Sequence, residues 1–167
     1  MRIFELFLIG CSFLLLGSCG AKKSMDTVQE VYVEESSWDG EIVEDTMMLT
    51  IREVGSGKLL LFGLEEEKDI VVGLPIEISK SDKSEIIVGK MTAKLIAEKV
   101  YAYKGKNLKI RKYYYNVPDM LDEECYYFLA DEKLIAVKSV AWGVATFYRY
   151  SDLDLIEQLK ADSISFF

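Results

Sequence analysis

The sequence contains no histidine, and this absence removes several kinds of catalytic and metal site. Histidine is the commonest general base in enzymes, so neither a Ser-His-Asp nor a Cys-His arrangement can be built from this chain. Zinc sites with imidazole ligands are excluded for the same reason. Phosphate-binding glycine motifs are missing too, because the glycines form no Walker-type loop and no GxGxxG between a strand and a helix. Asp and Glu therefore remain for acid–base chemistry.

A long hydrophobic run is also absent. The most apolar stretch, Leu6–Gly17, has twelve residues, whereas a helix that spans a bilayer needs roughly 20. This stretch follows a short lead that carries Arg2, and it ends at the small residues Gly17 and Ser18. A positive lead, a short apolar block and small residues before a cut are the parts of a secretory signal peptide. The sequence therefore begins with a predicted export signal.

The segment Leu16-Gly17-Ser18-Cys19 resembles the lipobox of bacterial lipoproteins, in which an aliphatic residue and two small residues precede a cysteine. The resemblance covers residues 1–19 only. It implies removal of residues 1–18, a diacylglycerol on the Cys19 thiol and acylation of the freed amine. Two or more acyl chains make a stable anchor, so the implied partner is the lipid bilayer. An ordinary cleaved signal with an unmodified Cys19 is the alternative. Cys11 also follows a fitting segment, but that cut leaves too short an apolar block.

The same resemblance implies a place in the bacterial cell envelope. In the family, an Asp directly after the lipidated cysteine is the usual signal for retention in the inner membrane, and here Gly20 stands at that position. We therefore predict a lipid-anchored protein of the outer membrane, either periplasm-facing or surface-exposed. Residues 19–27 are predicted to be the lipidated cysteine and a polar tether. Eight extended residues reach at most about 28 Å, so the folded part would lie near the headgroups.

Few cysteines would remain after cleavage. Cys11 would leave with the signal and Cys19 would carry lipid, so that Cys125 would be the only free thiol. An intramolecular disulfide and a zinc site of several cysteines are then excluded, and the core must provide the stability. Cys125 lies among bulky strand-forming residues, which predicts a small buried hydrophobic residue rather than a nucleophile. The net charge of -8 argues against nucleic acid as a partner.

Alternation of polar and apolar residues dominates the chain from Val28 onward. Between Met91 and Ala97, for example, every second residue is apolar and shares one face of a strand. Turn-forming segments separate such stretches at Asp39-Gly40, Gly55-Ser56-Gly57, Lys80-Ser81-Asp82, Lys104-Gly105-Lys106-Asn107 and Asp131-Glu132-Lys133. This pattern predicts antiparallel hairpins in a single domain, residues 28–167, folded as a sandwich or a partly open barrel. An α+β fold is the alternative, because Met91–Lys99 also has a helix-friendly composition.

One short helix is predicted near the C-terminus. Ser151 is suited to cap a helix over Asp152–Ala161, and two aspartates would lie in its first turn, where negative charge is favourable. The apolar stripe of this helix consists of Leu155, Ile156 and Leu159. Residues 164–167 are predicted to be a last strand or a packed tail.

Tyrosine is unusually abundant in the C-terminal half. Nine of the ten tyrosines lie between Tyr101 and Tyr150. Tyr provides a large amphipathic contact area at little entropic cost, which is why binding faces use it. The candidate binding face consists of Tyr101, Tyr103, Tyr113 and Tyr115, and its ligand would be a glycan or an envelope protein. The alternative is that these tyrosines are ordinary strand residues, since Tyr is favoured in sheets.

Carboxylates are the remaining candidates for catalysis. Pairs such as Glu34-Glu35 and Glu44-Asp45 are adjacent in predicted strands, so their side chains would point to opposite faces. A glycoside hydrolase needs two carboxyl groups about 5–10 Å apart, and no such pair is identified from the sequence. We predict no cofactor and no metal site. The predicted function is a non-catalytic binding or assembly module, and a carboxylate-dependent envelope hydrolase is the alternative.

Overall fold

The computed structural model describes residues 26–37, 39–63, 75–117, 120–162 and 166–167. The predicted signal peptide, Cys19 and most of the tether lie outside these ranges. Ten strands and one helix are described: β1 Thr27–Ser37, β2 Ile42–Val54, β3 Gly57–Gly63, β4 Ile76–Ser79, β5 Glu85–Val88, β6 Met91–Tyr103, β7 Lys106–Val117, β8 Met120–Ala130, β9 Lys133–Ser139, β10 Val144–Arg149 and α1 Ile156–Ala161.

The ten strands form one closed antiparallel barrel. Each strand pairs with the next along the chain, and β10 pairs with β1 to close the sheet. The prediction of a mainly β fold made of antiparallel hairpins, with one short C-terminal helix, is confirmed. The closed barrel takes the place of both the sandwich and the partly open barrel. Met91–Tyr103 is a strand rather than a helix, so the α+β alternative does not apply.

Successive hairpin turns lie at alternate ends of the barrel. One end, which we call the N-terminal end, holds the start of β1 at Thr27 and the end of β10 at Arg149. It also holds the turns at residues 55–56, 80–84, 104–105 and 131–132. The turns at 39–41, 89–90 and 140–143 lie at the opposite end. All five turn segments predicted from the sequence coincide with observed turns.

Apolar side chains that alternate along the strands fill the interior of the barrel. The rings of Phe62 on β3 and Tyr148 on β10 have centroids 4.9 Å apart, although β1 and β2 separate these strands in the sheet. Side chains of strands that are not neighbours can meet in this way only across the interior. By strand alternation and register, the inner core includes the buried side chains of Val31, Leu49, Leu60, Ile78, Ile86 and Tyr113.

A second apolar layer covers part of the outside of the barrel. Phe147 precedes Tyr148, so its side chain points outward, and it is aligned through β9 with Phe128. The ring of Phe167 packs on both, with centroids 4.7 Å from Phe128 and 5.1 Å from Phe147. The ring of Phe166 also contacts Phe128. We call these four phenylalanines the outer core. Phe166 and Phe167 are packed in it, whereas Ile164 and Ser165 of the predicted strand or tail lie outside the described residues.

The helix is shorter than predicted. It begins at Ile156 instead of Asp152 and has no side-chain cap. Tyr150 and Leu153 exchange backbone hydrogen bonds of 2.8 and 3.2 Å, and the amide of Asp154 donates to a tyrosine hydroxyl on β6. These hydrogen bonds keep residues 150–154 in a non-helical conformation, so the helix cannot begin one turn earlier. Within the described residues, no helix is long and apolar enough to cross a membrane.

Candidate functional site

Two tyrosines of the predicted binding face lie inside the barrel. Tyr113 and Tyr115 are only 1% and 8% exposed. The Tyr113 hydroxyl donates a 3.0 Å hydrogen bond to the backbone carbonyl of Lys83, and the Tyr115 hydroxyl contacts the sulfur of Met91. Burial raises the pKa of Tyr113. Both residues belong to the inner core and form no part of the outer surface of the barrel.

The other two, Tyr101 and Tyr103, lie on the outer side because of a bulge in β6. Leu95 pairs with an inward-facing residue of β7, whereas Ala97 pairs with Lys112, which faces outward. The alternation of β6 therefore changes side between these two residues. Burial, together with a hydrogen bond to a carboxylate that follows α1, raises the pKa of Tyr101. The four tyrosines consequently do not share one face.

A cavity of about 650 Å³, the N-terminal pocket, lies at the N-terminal end of the barrel. Its walls include the β6–β7 turn, the β8–β9 turn and the segment that follows β10. Its cationic lining residues are Lys58, Lys83, Lys104, Lys106, Arg111 and Lys133. Its acidic lining residues are Asp131, Glu132 and Asp152. The pocket thus has three more positive than negative side chains, in a chain whose net charge is -8.

Ion pairs fix several of these charged groups in place. Glu132 lies between two ammonium groups, 2.6 Å from Lys58 and 3.4 Å from Lys83. The hydrogen bond from Lys58 and the nearby charges lower the pKa of Glu132. Asp152 pairs with Lys133 at 2.6 Å, and this hydrogen bond lowers the pKa of Asp152. Both carboxylates are therefore held in their ionised form.

Two lysines at the β6–β7 turn have no such partner. Lys104 and Lys106 flank Gly105, their side chains are exposed, and neither forms an ion pair with an acidic residue that the structure describes. The ammonium group of Lys104 lies 4.9 Å from the centroid of the Tyr103 ring. Its hydrogen bond to the phenol lowers the pKa of Tyr103, as an electropositive site should.

The pocket also holds unusual backbone conformations. Lys104 and Asp131 have φ angles of 48° and 53°, and they are the two non-glycine residues with positive φ in the described part of the chain. Both line the pocket. A side chain in this left-handed region costs free energy, and such residues concentrate at functional sites.

Apolar side chains complete the lining. They are Ile51, Leu108, Ala130 and Leu153. Of the four tyrosines in the predicted face, Tyr103 is the one that lines this pocket.

Cys125 is half-buried and packs against the core, as a small hydrophobic residue does. Among the residues that the structure describes, no group of His, Cys, Asp and Glu is arranged to hold a metal ion.

Comparison with known proteins assigns no function to this chain. No family model matches the sequence, no curated protein is significantly similar to it, and no solved structure is significantly similar to it. The N-terminal pocket is therefore the feature on which a functional argument can be built.

Proposed function

We propose that the chain is a lipid-anchored protein of the bacterial outer membrane and that its barrel is a non-catalytic binding module. The N-terminal pocket is its ligand site. This pocket carries the proposal because its volume, about 650 Å³, falls in the range of roughly 300–1,000 Å³ that is typical of small-molecule sites. Its combination of apolar walls and a few fixed polar groups is also typical of such sites.

The start of the first strand and the pocket lie at one end of the barrel. β1 begins at Thr27 at the N-terminal end, where the pocket also lies, and the proposed lipid on Cys19 would be eight residues before it. An anchored molecule would keep this end near the membrane and direct the opposite end into the aqueous compartment.

We prefer binding to the alternative of a carboxylate-dependent hydrolase. A hydrolase of that kind needs a general acid whose pKa is raised, so that it holds its proton at neutral pH. In this pocket the neighbouring lysines lower the pKa of both Glu132 and Asp152, so neither carboxyl group keeps its proton at neutral pH. Ion-paired carboxylates are better suited to holding the lysines in position than to donating a proton.

Substitution of Cys19 tests the anchor. In Cys19→Ser, we expect the precursor to remain uncleaved and the N-terminal peptide to lack the mass of the acyl groups. Cys11→Ser is the matched control, since it removes a thiol that lies within the signal itself. It should be processed and lipidated as the parent is. Normal cleavage of Cys19→Ser would contradict the anchor and would indicate an ordinary signal peptide.

A further inference from the structure

We infer that the N-terminal pocket takes an amphipathic organic anion, a molecule with an apolar body and a carboxylate, sulfonate or phosphate head. This inference rests on the proposed binding function and adds the chemical class of the ligand. It follows from three properties of the pocket: the sign of its charge, the position of the two lysines that have no ion pair and the apolar character of its walls.

The sign of the charge is opposite to that of the whole chain. The pocket has six cationic and three acidic lining side chains. One of the six, Arg111, is paired with Glu98 at 2.9 Å, so the excess consists of the two rim lysines. The chain as a whole has 20 basic and 28 acidic residues. A concave site lined by one excess charge concentrates ligands of the opposite charge, because its field is focused there. The surrounding acidic surface would repel anions elsewhere on the molecule. An anion is therefore the ligand that this pocket selects.

The head group has two lysines available to it. Lys58, Lys83 and Lys133 are already paired with the carboxylates of the pocket. Lys104 and Lys106 stand on the rim with no ion pair to a described acidic residue. An anionic head bound between them would neutralise charge without breaking an ion pair, although Lys104 also contacts the phenol of Tyr103.

The backbone at Lys104 supports the same assignment. Lys104 and Gly105 have φ angles of 48° and 76° and form the two-residue β6–β7 turn. Two positive φ angles are typical of a type I′ turn, whose first position favours Asn, Asp or Gly. Lysine at that position is conformationally costly, and its side chain lines the pocket.

The body of the ligand meets apolar groups. Ile51, Leu108 and Leu153 line the same cavity as the lysines, so a molecule that reaches the rim with its head can bury a hydrocarbon or aromatic part. A small inorganic anion would leave this surface unused, and a neutral apolar molecule would leave the lysines unused. The combination favours a ligand with both parts.

Two dyes separate these alternatives. The mature lipoprotein is reconstituted in phosphatidylcholine nanodiscs, and empty nanodiscs provide the background. One probe is 8-anilinonaphthalene-1-sulfonate, which is an amphipathic anion, and the other is N-phenyl-1-naphthylamine, which has the same ring system without the sulfonate. Binding is followed by fluorescence titration.

The variant Lys104→Glu/Lys106→Glu reverses the rim charge. Lys90→Glu/Lys94→Glu is the matched control, because it makes the same charge change at exposed positions outside the pocket lining.

The fluorescence of each dye with empty nanodiscs is subtracted first. We then expect the sulfonate to bind the parent protein and the neutral dye to bind it at least about tenfold more weakly. The rim variant should lose about tenfold in affinity for the sulfonate. The control should change it by less than about twofold, because screening at physiological salt limits charge effects to roughly 8 Å. Circular dichroism should show that both variants keep the fold of the parent.

The two possible failures differ. Equal binding of both dyes, unchanged in the rim variant, would overturn the anion assignment and leave the proposed binding module standing. No binding of either dye would remove the pocket as a ligand site and with it the proposed function.

A further arm identifies the source of the anion, which is either a lipid of the adjacent membrane or a free molecule. Nanodiscs that contain phosphatidylglycerol should weaken sulfonate binding if the pocket accepts lipid headgroups. If the ligand is free in solution, sulfonate binding should be the same in both kinds of nanodisc once the signal of the matching empty nanodiscs has been subtracted.

Discussion

The inner core and the outer core of this barrel are built from neighbouring residues of the same strands. In β7, Tyr113 lies in the interior, and the adjacent Tyr114 lies on the outer side, 5.1 Å from the ring of Tyr126. In β10, Phe147 belongs to the outer core and Tyr148 to the interior. The inner core is enclosed by ten strands, whereas the outer core is closed by a short helix and a two-residue aromatic tail.

The difference lies in how each core can fail. A side chain of the inner core cannot reach solvent unless the barrel opens, so its loss acts on global stability. The outer core depends on a C-terminal segment that can detach while the sheet remains intact. Local opening of this kind costs less free energy than global unfolding. The two cores should therefore respond differently to equivalent substitutions.

The largest effect is expected for Tyr113→Ala. Removing a fully buried aromatic ring from a closed interior should lower the free energy of unfolding by about 3–5 kcal/mol, because little can collapse into the cavity. Tyr114→Ala is the matched neighbour on the outer side and should cost about 1 kcal/mol. Chemical denaturation measures both values. Equal losses would show that the two faces of β7 are not energetically distinct.

Should Tyr113→Ala fail to fold, Tyr113→Phe keeps the comparison measurable. It removes only the hydroxyl that donates to the carbonyl of Lys83. The expected loss is about 1 kcal/mol, with no change in the denaturant dependence of the unfolding free energy.

Phe167→Ala should have a smaller and more local effect. The Phe167 ring packs on Phe128 and Phe147, and its removal should cost about 2 kcal/mol of docking free energy. Hydrogen exchange should become faster in α1, while amides of the inner strands keep their protection. A uniform increase in exchange across the barrel would show that the outer core is part of the global folding unit.

The ion pair between α1 and the barrel should contribute next. Lys160 lies 2.5 Å from a carboxylate oxygen of Glu34, which is the one buried charged residue in the described part of the chain. Lys160→Met leaves that carboxylate buried and unpaired, so it should cost about 1–3 kcal/mol. Glu34→Gln/Lys160→Met should recover part of this loss. Failure of the double variant to recover any stability would contradict the pairing.

The same pair predicts a dependence on pH. The nearby carboxylate of Glu34 raises the pKa of Lys160 above its usual value of 10.5. The stabilising contribution is therefore complete below the unfolded pKa and is lost as the pH rises through the folded pKa. Above about pH 10.5, the protection factors of the α1 amides, which are corrected for base-catalysed exchange, should fall in the parent protein and change less in Lys160→Met.

The smallest effect is a gain in stability. Lys104→Asn places a residue that tolerates positive φ at the first position of the β6–β7 turn, and it should stabilise the barrel by about 0.5–1 kcal/mol. The same variant should bind the sulfonate dye more weakly, because it loses a rim cation. A stability equal to or below that of the parent would show that the turn is not strained by lysine.

The sequence predicted the strands and turns well because alternation and turn-forming residues are local signals. It missed the change of side in β6, although the alternation breaks after the bulge, where Lys99 is polar and Val100 is apolar. Closure of the barrel was also not predicted, because the pairing of β1 with β10 joins segments far apart in the chain. The outer core had one visible signal. Leu134–Val137 is apolar at every position, and strands buried on both faces have continuous apolar runs.

The candidate site was missed for a related reason. Its cations come from separate turns, and none is unusual within its own segment. A usable signal was nevertheless present, because alternate turns of an antiparallel meander lie at the same end. The turns around Lys104 and Lys133 are separated by one hairpin turn at the opposite end, so they had to lie near each other. These two turns together carry three lysines and the two acidic residues Asp131 and Glu132, so their proximity predicts a cluster of charges with a small positive excess.

Closure of the sheet also restricts how other chains can recognise this one. Each of the ten strands has a neighbour on both sides for part of its length. Some described stretches extend beyond a shorter neighbour, as residues 96–103 of β6 do past β5 and residues 27–31 of β1 do past β10. An extended peptide could add a strand only at such a stretch. Over the rest of the barrel, recognition depends on side chains at the ends and on the outer wall, where a few substitutions can change it without altering the sheet.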